Sequence, residues 1–330
     1  MNHKVRQRLT VVELRAGGPS PDFAQDVREG LSDRPKHLSP MFFYDEAGSR
    51  LFEDITRAPE YYISRLERSI LERYSDELAA LLASSSTLVE LGSGSSAKTR
   101  VILRALLARR PFLHYVAVDI SRAALLEAAP ALLEEFPALR MTAVVGDYAA
   151  ALAWLSKQDT GPRKSVLYLG SSMGNFPPEQ ARGLMGLIAA GLSEGDRLVL
   201  GADLRKPAGV VERAYNDSAG VTARFNLNLL RRINDELGGR FDPKAFRHLA
   251  FYNERAGRVE MHLESSREQE VSVNALRRAF HFDRGETIHT EDSYKYDLAQ
   301  LDALAGGAGL RRARLWLDER RWFSVSAFQR

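Results

Sequence analysis

The stretch VELGSGSSAKT, Val89 to Thr99, holds the first residues whose types and spacing can do chemistry. An apolar run ends, glycines permit close backbone approach, and a helix start offers free N–H groups; nucleotides bind such places. Three devices fit the letters. Gly92, Gly94 and Ala97 match the dinucleotide fingerprint G-x-G-x-x-G/A. Gly92, Lys98 and Thr99 nearly match the phosphate loop G-x-x-x-x-G-K-[ST], with Ala97 where the second glycine belongs. With Glu90 ahead of Gly92, the stretch also suits an adenosylated sulfonium, a cofactor without phosphate.

The surroundings discriminate. Ala97 compromises the wrapping of amides around a phosphate, although Asp203 offers a carboxylate for magnesium. A dinucleotide explains Asp119, an acid at the end of the next apolar run that accepts from ribose hydroxyls. It does not explain Glu90, at a position that is normally apolar in such folds. A sulfonium cofactor suits all of them: Glu90 near the cationic sulfur and ammonium, Asp119 for the ribose, and Asp147 for the adenine amine with the Tyr148 ring beside it. Each acid alone reads as a solvated strand end. Three in register with a glycine loop that includes Gly92 and Gly94 read as a site.

Such residues need a scaffold that brings strand ends to one edge. TLVEL (87–91), HYVAVDI (114–120), MTAVVGD (141–147), SVLYLGSS (165–172) and DRLVLGADL (196–204) are near-continuous apolar runs alternating with helical stretches. That rhythm predicts a parallel sheet covered on both faces. Ser64 and Glu67 form an S-x-x-E capping pattern on a helix carrying Leu66, Ile70, Tyr74, Leu78 and Leu81 at helical spacing. Pro130 is expected to break or kink the helix after the second strand. Turn signals fall at Gly17-Gly18-Pro19 and Pro35. After Lys206-Pro207 the rhythm changes to a helix, RFNLNLLRRINDELGG, and alternating strands, RVEMHLES and EVSVNAL. The end of the chain, YDLAQLDALAGG, LRRARLWLD and WFSVSAF, predicts a helix and two strands that rejoin the first sheet as an antiparallel pair. The expected fold class is α/β, a Rossmann-like seven-stranded sheet with a second α+β substrate domain. The expected division is 63–206 plus 293–330 for the cofactor domain and 1–62 plus 207–292 for the substrate domain.

Composition narrows the partners. The 330 residues are 45% hydrophobic, enough for a real core, and the formal net charge is only +3. Basic clusters such as Arg311-Arg312 and Arg320-Arg321 are too short to predict a nucleic-acid partner. The absence of cysteine excludes disulfides, thiolate metal sites and thiol nucleophiles. His114, His248, His262, His281 and His289 lack metal-ligand spacing, so no metal is expected. No run approaches the ~18 apolar residues of a membrane span, and the N-terminus lacks the apolar segment of a secretion signal. A cytoplasmic monomer is expected.

Further motifs make a resemblance specific. FFYDEAGSRLFEDITRAPEYY, LVELGSGSSAKTR, VAVDIS, LGSSMGNF, GADLRK, RAYNDSAGVTARFNLNLL, VEMHL and HTEDSYK run from about Phe42 to the C-terminus. Together they resemble the histidine-specific N-α-methyltransferases of ergothioneine biosynthesis. The resemblance implies a seven-stranded S-adenosylmethionine-dependent methyltransferase sheet, a substrate held between two domains, and three methyl transfers to the α-amino group of L-histidine. The products would be hercynine and S-adenosyl-L-homocysteine. By motif, Asn175 and Tyr215 would hold the substrate carboxylate, and Tyr44 would lie near the amino group as the catalytic residue. Tyr61, Glu291 and Ser293 would address the imidazole, Met261 would pack on the ring, and Gly170 and Thr222 would line the pocket. Gly92, Lys98, Asp119, Asp147 and Tyr148 match on the cofactor side. The family often has Phe at the Tyr148 position, and Asp292 is given no role.

Physical chemistry supports part of this directly. Glu291 and Ser293, two apart in an extended segment, share a face. Neutral imidazole has one donor and one acceptor nitrogen, which a carboxylate and a hydroxyl can serve. Taken alone, they read as an ordinary polar strand, and Met261 between Val259 and Leu263 reads as core. The competitors are a methyltransferase of the same fold acting on tryptophan, which needs an apolar pocket where Glu291 stands; an NAD(P)-binding oxidoreductase; and a silent S-adenosylmethionine sensor.

Overall fold

Strand ends meet at one edge because the apolar runs pair in parallel. The structure, a computed structural model, describes residues 6–14 and 23–330; the turn expected at Gly17-Gly18-Pro19 lies outside them. Contacts divide the chain into two units. Residues 6–14, Ile63–Arg205 and Tyr296–Arg330 belong to the first, and 23–62 with Lys206–Lys295 to the second.

Strands are numbered along the chain. The first unit contains β1 (Leu9–Glu13), β3 (Thr87–Leu91), β4 (Leu113–Asp119), β5 (Leu139–Val145), β6 (Lys164–Tyr168), β7 (Arg197–Asp203), β13 (Arg311–Leu317) and β14 (Phe323–Gln329). They form one sheet in the order β1-β5-β4-β3-β6-β7-β14-β13. The strands from β1 to β7 in that order run parallel. β14 lies antiparallel beside β7, and β13 antiparallel beside β14, as the final two apolar runs predict. Val89, Val116, Val144, Val166, Leu198 and Leu200 point into a core shared with Leu184, Ile188 and Leu301 from helices. Burial of such side chains contributes roughly 1.5–3 kcal/mol each.

Four local expectations change, the first being the unit bounds: residues 206 and 293–295, expected in the cofactor domain, belong to the second unit. β1 is an eighth strand, paired Leu9↔Met141 to Glu13↔Val145, which puts residues 9–13 in the first unit rather than with the substrate domain. The helix Tyr62–Arg73 begins before Ser64, and a second helix, Ser75–Leu81, starts after Tyr74. Ser64 and Glu67 are therefore not a capping box. The helix Arg122–Glu135 continues through Pro130, so of the break or kink expected there the break does not occur.

The second unit has a four-stranded sheet in the order β2-β12-β9-β8, from β2 (Lys36–His37), β12 (Thr287–Tyr294), β9 (Arg258–Ser265) and β8 (Phe246–Asn253). A hairpin of β10 (Gln269–Val273) and β11 (Arg278–Phe282) adjoins it in sequence. The helix Val221–Leu237 buries Phe225, Leu229, Leu230 and Ile233; glycines at positive φ, Gly220 and Gly238, bound it. β9 and β12 pair antiparallel with a register shift between His289 and Glu291. The extra residue, Thr290, is pinned: its hydroxyl donates to Asn226 Oδ1 at 2.8 Å and to Met261 O at 3.1 Å. Beyond this bulge the strand alternates regularly.

Candidate active site

The glycine loop follows β3, whose five residues are all buried. Gly92 and Gly94 have φ of 72° and 48°, and Ser96, φ 53°, shares that left-handed region before the helix Thr99–Leu107. Gly92 N and Ser93 N both donate to Val118 O, at 2.9 and 3.0 Å. Asp119, ending β4, braces the loop: Oδ2 accepts from Gly94 N and Oδ1 from Ser121 N, each at 2.8 Å. Burial raises the Asp119 carboxyl, and those N–H groups pull it back. A side chain on Gly94 would meet nothing within 4 Å, so the loop is open there.

After β5, Asp147 caps the helix Tyr148–Leu155, with Oδ1 accepting from Ala150 N at 2.8 Å. A Cβ on Gly92 would stand 2.8 Å from Tyr148 Oη, so the tyrosine leans on the loop. Its ring meets Tyr168 edge-on at 5.4 Å and Phe176 at 6.3 Å. Gly92, Gly94, Asp119, Asp147 and Tyr148 thus gather at the carboxyl edge of the parallel strands, where open α/β sheets bind nucleotides. An open glycine loop flanked by two acids and an aromatic ring combines backbone N–H groups, carboxylate acceptors and a stacking face.

Glu90 differs from its sequence expectation. It is buried, with Oε1 accepting from Thr99 Oγ1 at 2.5 Å and Oε2 from Tyr115 Oη. Both oxygens serve the loop's own framework, and burial lifts the carboxyl to about 7 against the Thr99 and Tyr115 hydrogen bonds. Lys98 pairs with Glu67, which is fully buried. Both Glu67 oxygens also approach Gly170 N, at 2.8 and 2.9 Å. A Cβ on Gly201 would lie 1.9 Å from Glu67 Oε1, so glycine is required there. Glu67 joins Lys98 to Gly170, and sequence reasoning missed it by treating it as a cap. Asn175 ends the short 3-10 turn Ser172–Asn175 after Gly170.

In the second unit an aromatic chain links three candidate residues. Tyr44 meets Phe52 edge-on at 5.7 Å and Phe225 at 5.9 Å. Phe52 meets Tyr61 at 6.5 Å, and Tyr61 meets Tyr215 at 6.4 Å. Tyr215 Oη donates to Ser293 Oγ at 2.7 Å. Glu291 stands opposite Met261, and Ser293 opposite Val259, in the β9–β12 ladder. Glu291, Ser293 and Met261 are all buried. Burial pushes the Glu291 carboxyl up to about 7; Lys295 lowers it, Asp292 raises it and His289 lowers it. Thr222 sits in the first turn of Val221–Leu237, where Asp217 accepts from Val221 N and Thr222 N at 2.7 Å each.

The other sheet face is an ion-pair network: Arg258 holds Glu260 at 2.9 Å and Asp292 at 3.0 Å. Asp292 therefore points away from Glu291 and Ser293. A cavity of about 530 Å³ lined by Arg258, Glu260, His262 and His289 lies on that face, not beside Met261. Among the described residues no group of three or more His, Asp or Glu could hold a metal ion. No helix among them is long and apolar enough to cross a membrane.

Comparison with known proteins gives these groupings a context. A family described as "Histidine-specific methyltransferase, SAM-dependent" matches residues 23–330. The "Histidine N-alpha-methyltransferase" of Mycobacterium tuberculosis is 41% identical over 302 residues, covering 92% of this chain and 93% of that protein. "Ergothioneine biosynthesis protein 1" of Neurospora crassa is 31% identical over 86% of this chain but only 32% of its own length. The 4-dimethylallyltryptophan N-methyltransferase of Claviceps purpurea is 27% identical, covering 94% of this chain and 96% of that protein.

Proposed function

The chain belongs to the family of histidine-specific, SAM-dependent methyltransferases, and we propose that it trimethylates the α-amino group of L-histidine to hercynine, the first step of ergothioneine biosynthesis. S-adenosylmethionine, when bound, supplies an electrophilic methyl on sulfur and leaves as S-adenosyl-L-homocysteine. On this proposal Gly92, Gly94, Asp119, Asp147 and Tyr148 bind it, with Lys98 alongside. Glu90 keeps the loop in shape through Thr99 and Tyr115.

The observation that carries the substrate assignment is the buried pair Glu291 and Ser293 beside Met261. An ionised carboxylate accepts an imidazole N–H, a hydroxyl serves the other nitrogen, and the thioether packs on the ring. A site built to satisfy both nitrogens rejects side chains lacking them, because its own polar groups would stay unpaired. Tyr215 and Asn175 are assigned to the carboxylate, and Tyr61, Gly170 and Thr222 to the walls. Attack requires a neutral amine, and an α-amino group with a reference pKa of ~8 loses its proton readily near neutrality. Orientation by Tyr44 and loss of the proton to water then suffice without a strong base.

Mass spectrometry of L-histidine incubated with the protein and S-adenosylmethionine tests this. Species with one, two and three added methyl groups are expected. Histidine left unchanged, with tryptophan methylated instead, would favour the chemistry named for the Claviceps relative.

A further inference from the structure

The alternation that aligns Glu291 and Ser293 continues to Lys295, which the motif HTEDSYK contains but to which no role was assigned. Lys295 is only 2% exposed. Its ammonium donates to Tyr215 Oη and to Ser293 Oγ, each at 2.8 Å, and stands 4.8 Å from the centre of the Tyr215 ring. An ammonium has three donors and no acceptor. A hydroxyl oxygen that accepts from it keeps its own proton to give away. In the structure Tyr215 gives its proton to Ser293, so Ser293 Oγ accepts twice. With both lone pairs used, the Ser293 hydroxyl has only a proton left to offer.

We propose that Lys295 is a positioning residue for substrate recognition: by donating to Ser293 Oγ alongside Tyr215 Oη, it leaves the Ser293 hydroxyl a hydrogen-bond donor toward the substrate. This rests on the assignment of Ser293 to the imidazole. The target of Ser293 is then an acceptor, a ring nitrogen without a proton. Glu291 is the acceptor of the set. Glu291 and Ser293 together demand a neutral imidazole with its N–H toward Glu291 and its bare nitrogen toward Ser293. Without the ammonium, Ser293 is free to turn its proton to Tyr215 and face the ring with a lone pair.

The test is a double-substitution cycle read as steady-state methylation of histidine. Lys295→Met is expected to raise KM for histidine about tenfold or more with a smaller change in kcat. Binding of S-adenosylhomocysteine by calorimetry should stay within about twofold. In a Ser293→Ala background the same lysine substitution should cost less than about threefold, since its target is gone. Should Lys295→Met fail to fold, Lys295→Gln, which keeps N–H donors without the charge, is expected to lose about threefold and to show the same dependence on Ser293. Additive losses in the two backgrounds overturn the inference, because a lysine that only supports the fold costs the same in both. Ser293→Ala without any effect on KM overturns the site assignment itself, and the role of Lys295 falls with it. A KM effect for Ser293→Ala but none for either lysine variant overturns the lysine inference alone.

Discussion

Glu90 and Glu291 are two buried glutamates, each lifted by burial to about 7, one in each unit. Their neighbours separate them. Glu90 is closed in by hydroxyls from Thr99, on the helix after the glycine loop, and Tyr115, on the neighbouring strand, with the charges of Lys98 and Glu67 as smaller influences. Glu291 has charged neighbours along its own strand, with Lys295 opposing the effect of burial and Asp292 adding to it. A carboxyl sealed by hydroxyls keeps its acceptor oxygens for the loop, while ionising it costs the fold. A carboxylate asked to accept an imidazole N–H works only when ionised.

The comparison is broken most sharply at Glu291. Glu291→Ala should lower kcat/KM for histidine by roughly 100-fold, the cost of losing a charge-assisted hydrogen bond in a dry pocket. A loss under threefold would dissolve the distinction. Next comes the pH profile. Wild-type kcat/KM should rise through about pH 7 as Glu291 ionises, on top of the deprotonation of the substrate amine. Glu291→Gln should keep only the amine limb. Tyr44→Phe is expected to slow turnover about tenfold with substrate binding preserved; abolished turnover with intact binding would mean an obligate base instead.

Glu90→Gln should leave histidine kcat/KM within about threefold. Its effect is on stability. The folded value of about 7 lies above the ordinary 4.5, so the folded protein binds the extra proton between them. The stabilising contribution is complete below about pH 4.5 and is lost as pH rises through about 7. The amide has no such loss. Unfolding free energies from denaturant titration at about pH 5 and about pH 8 should move in the variant's favour at the higher pH, by up to the order of 3 kcal/mol. An unchanged difference would show that Glu90 is not held the way its partners imply.

The central strands were legible because both faces of each are covered, which leaves apolar runs that no surface element shows. β1 was not: LTVVE is half-exposed at the sheet edge, and nothing in five residues announces a partner such as Met141, far along the chain. Glu67 was misread for a related reason. S-x-x-E is a local pattern, whereas the partners of Glu67 are Lys98 and Gly170. The positions of Asp119 at the end of β4 and Asp147 just after β5 were legible because strand ends are visible in sequence. The environment of Glu90 was not, because Tyr115 in an apolar strand looks like core. The Glu291–Ser293 face was legible through its motif. Lys295 escaped because an alternating lysine ordinarily marks a solvated strand.

Leu204 pairs with Tyr296 in an isolated parallel bridge. Arg205 N donates to Tyr296 O at 2.8 Å, and Tyr296 N to Asp203 O at 3.0 Å. The whole intervening stretch therefore leaves and re-enters the first unit at one stitched point. This shapes the order of folding. Pairing β14 with β7 closes a loop that contains this stretch, and an unstructured chain of that length resists the closure through loop-closure entropy. If the intervening stretch condenses first, it brings its own ends together and the seam closes cheaply; otherwise the long-range pairing sets the slow phase.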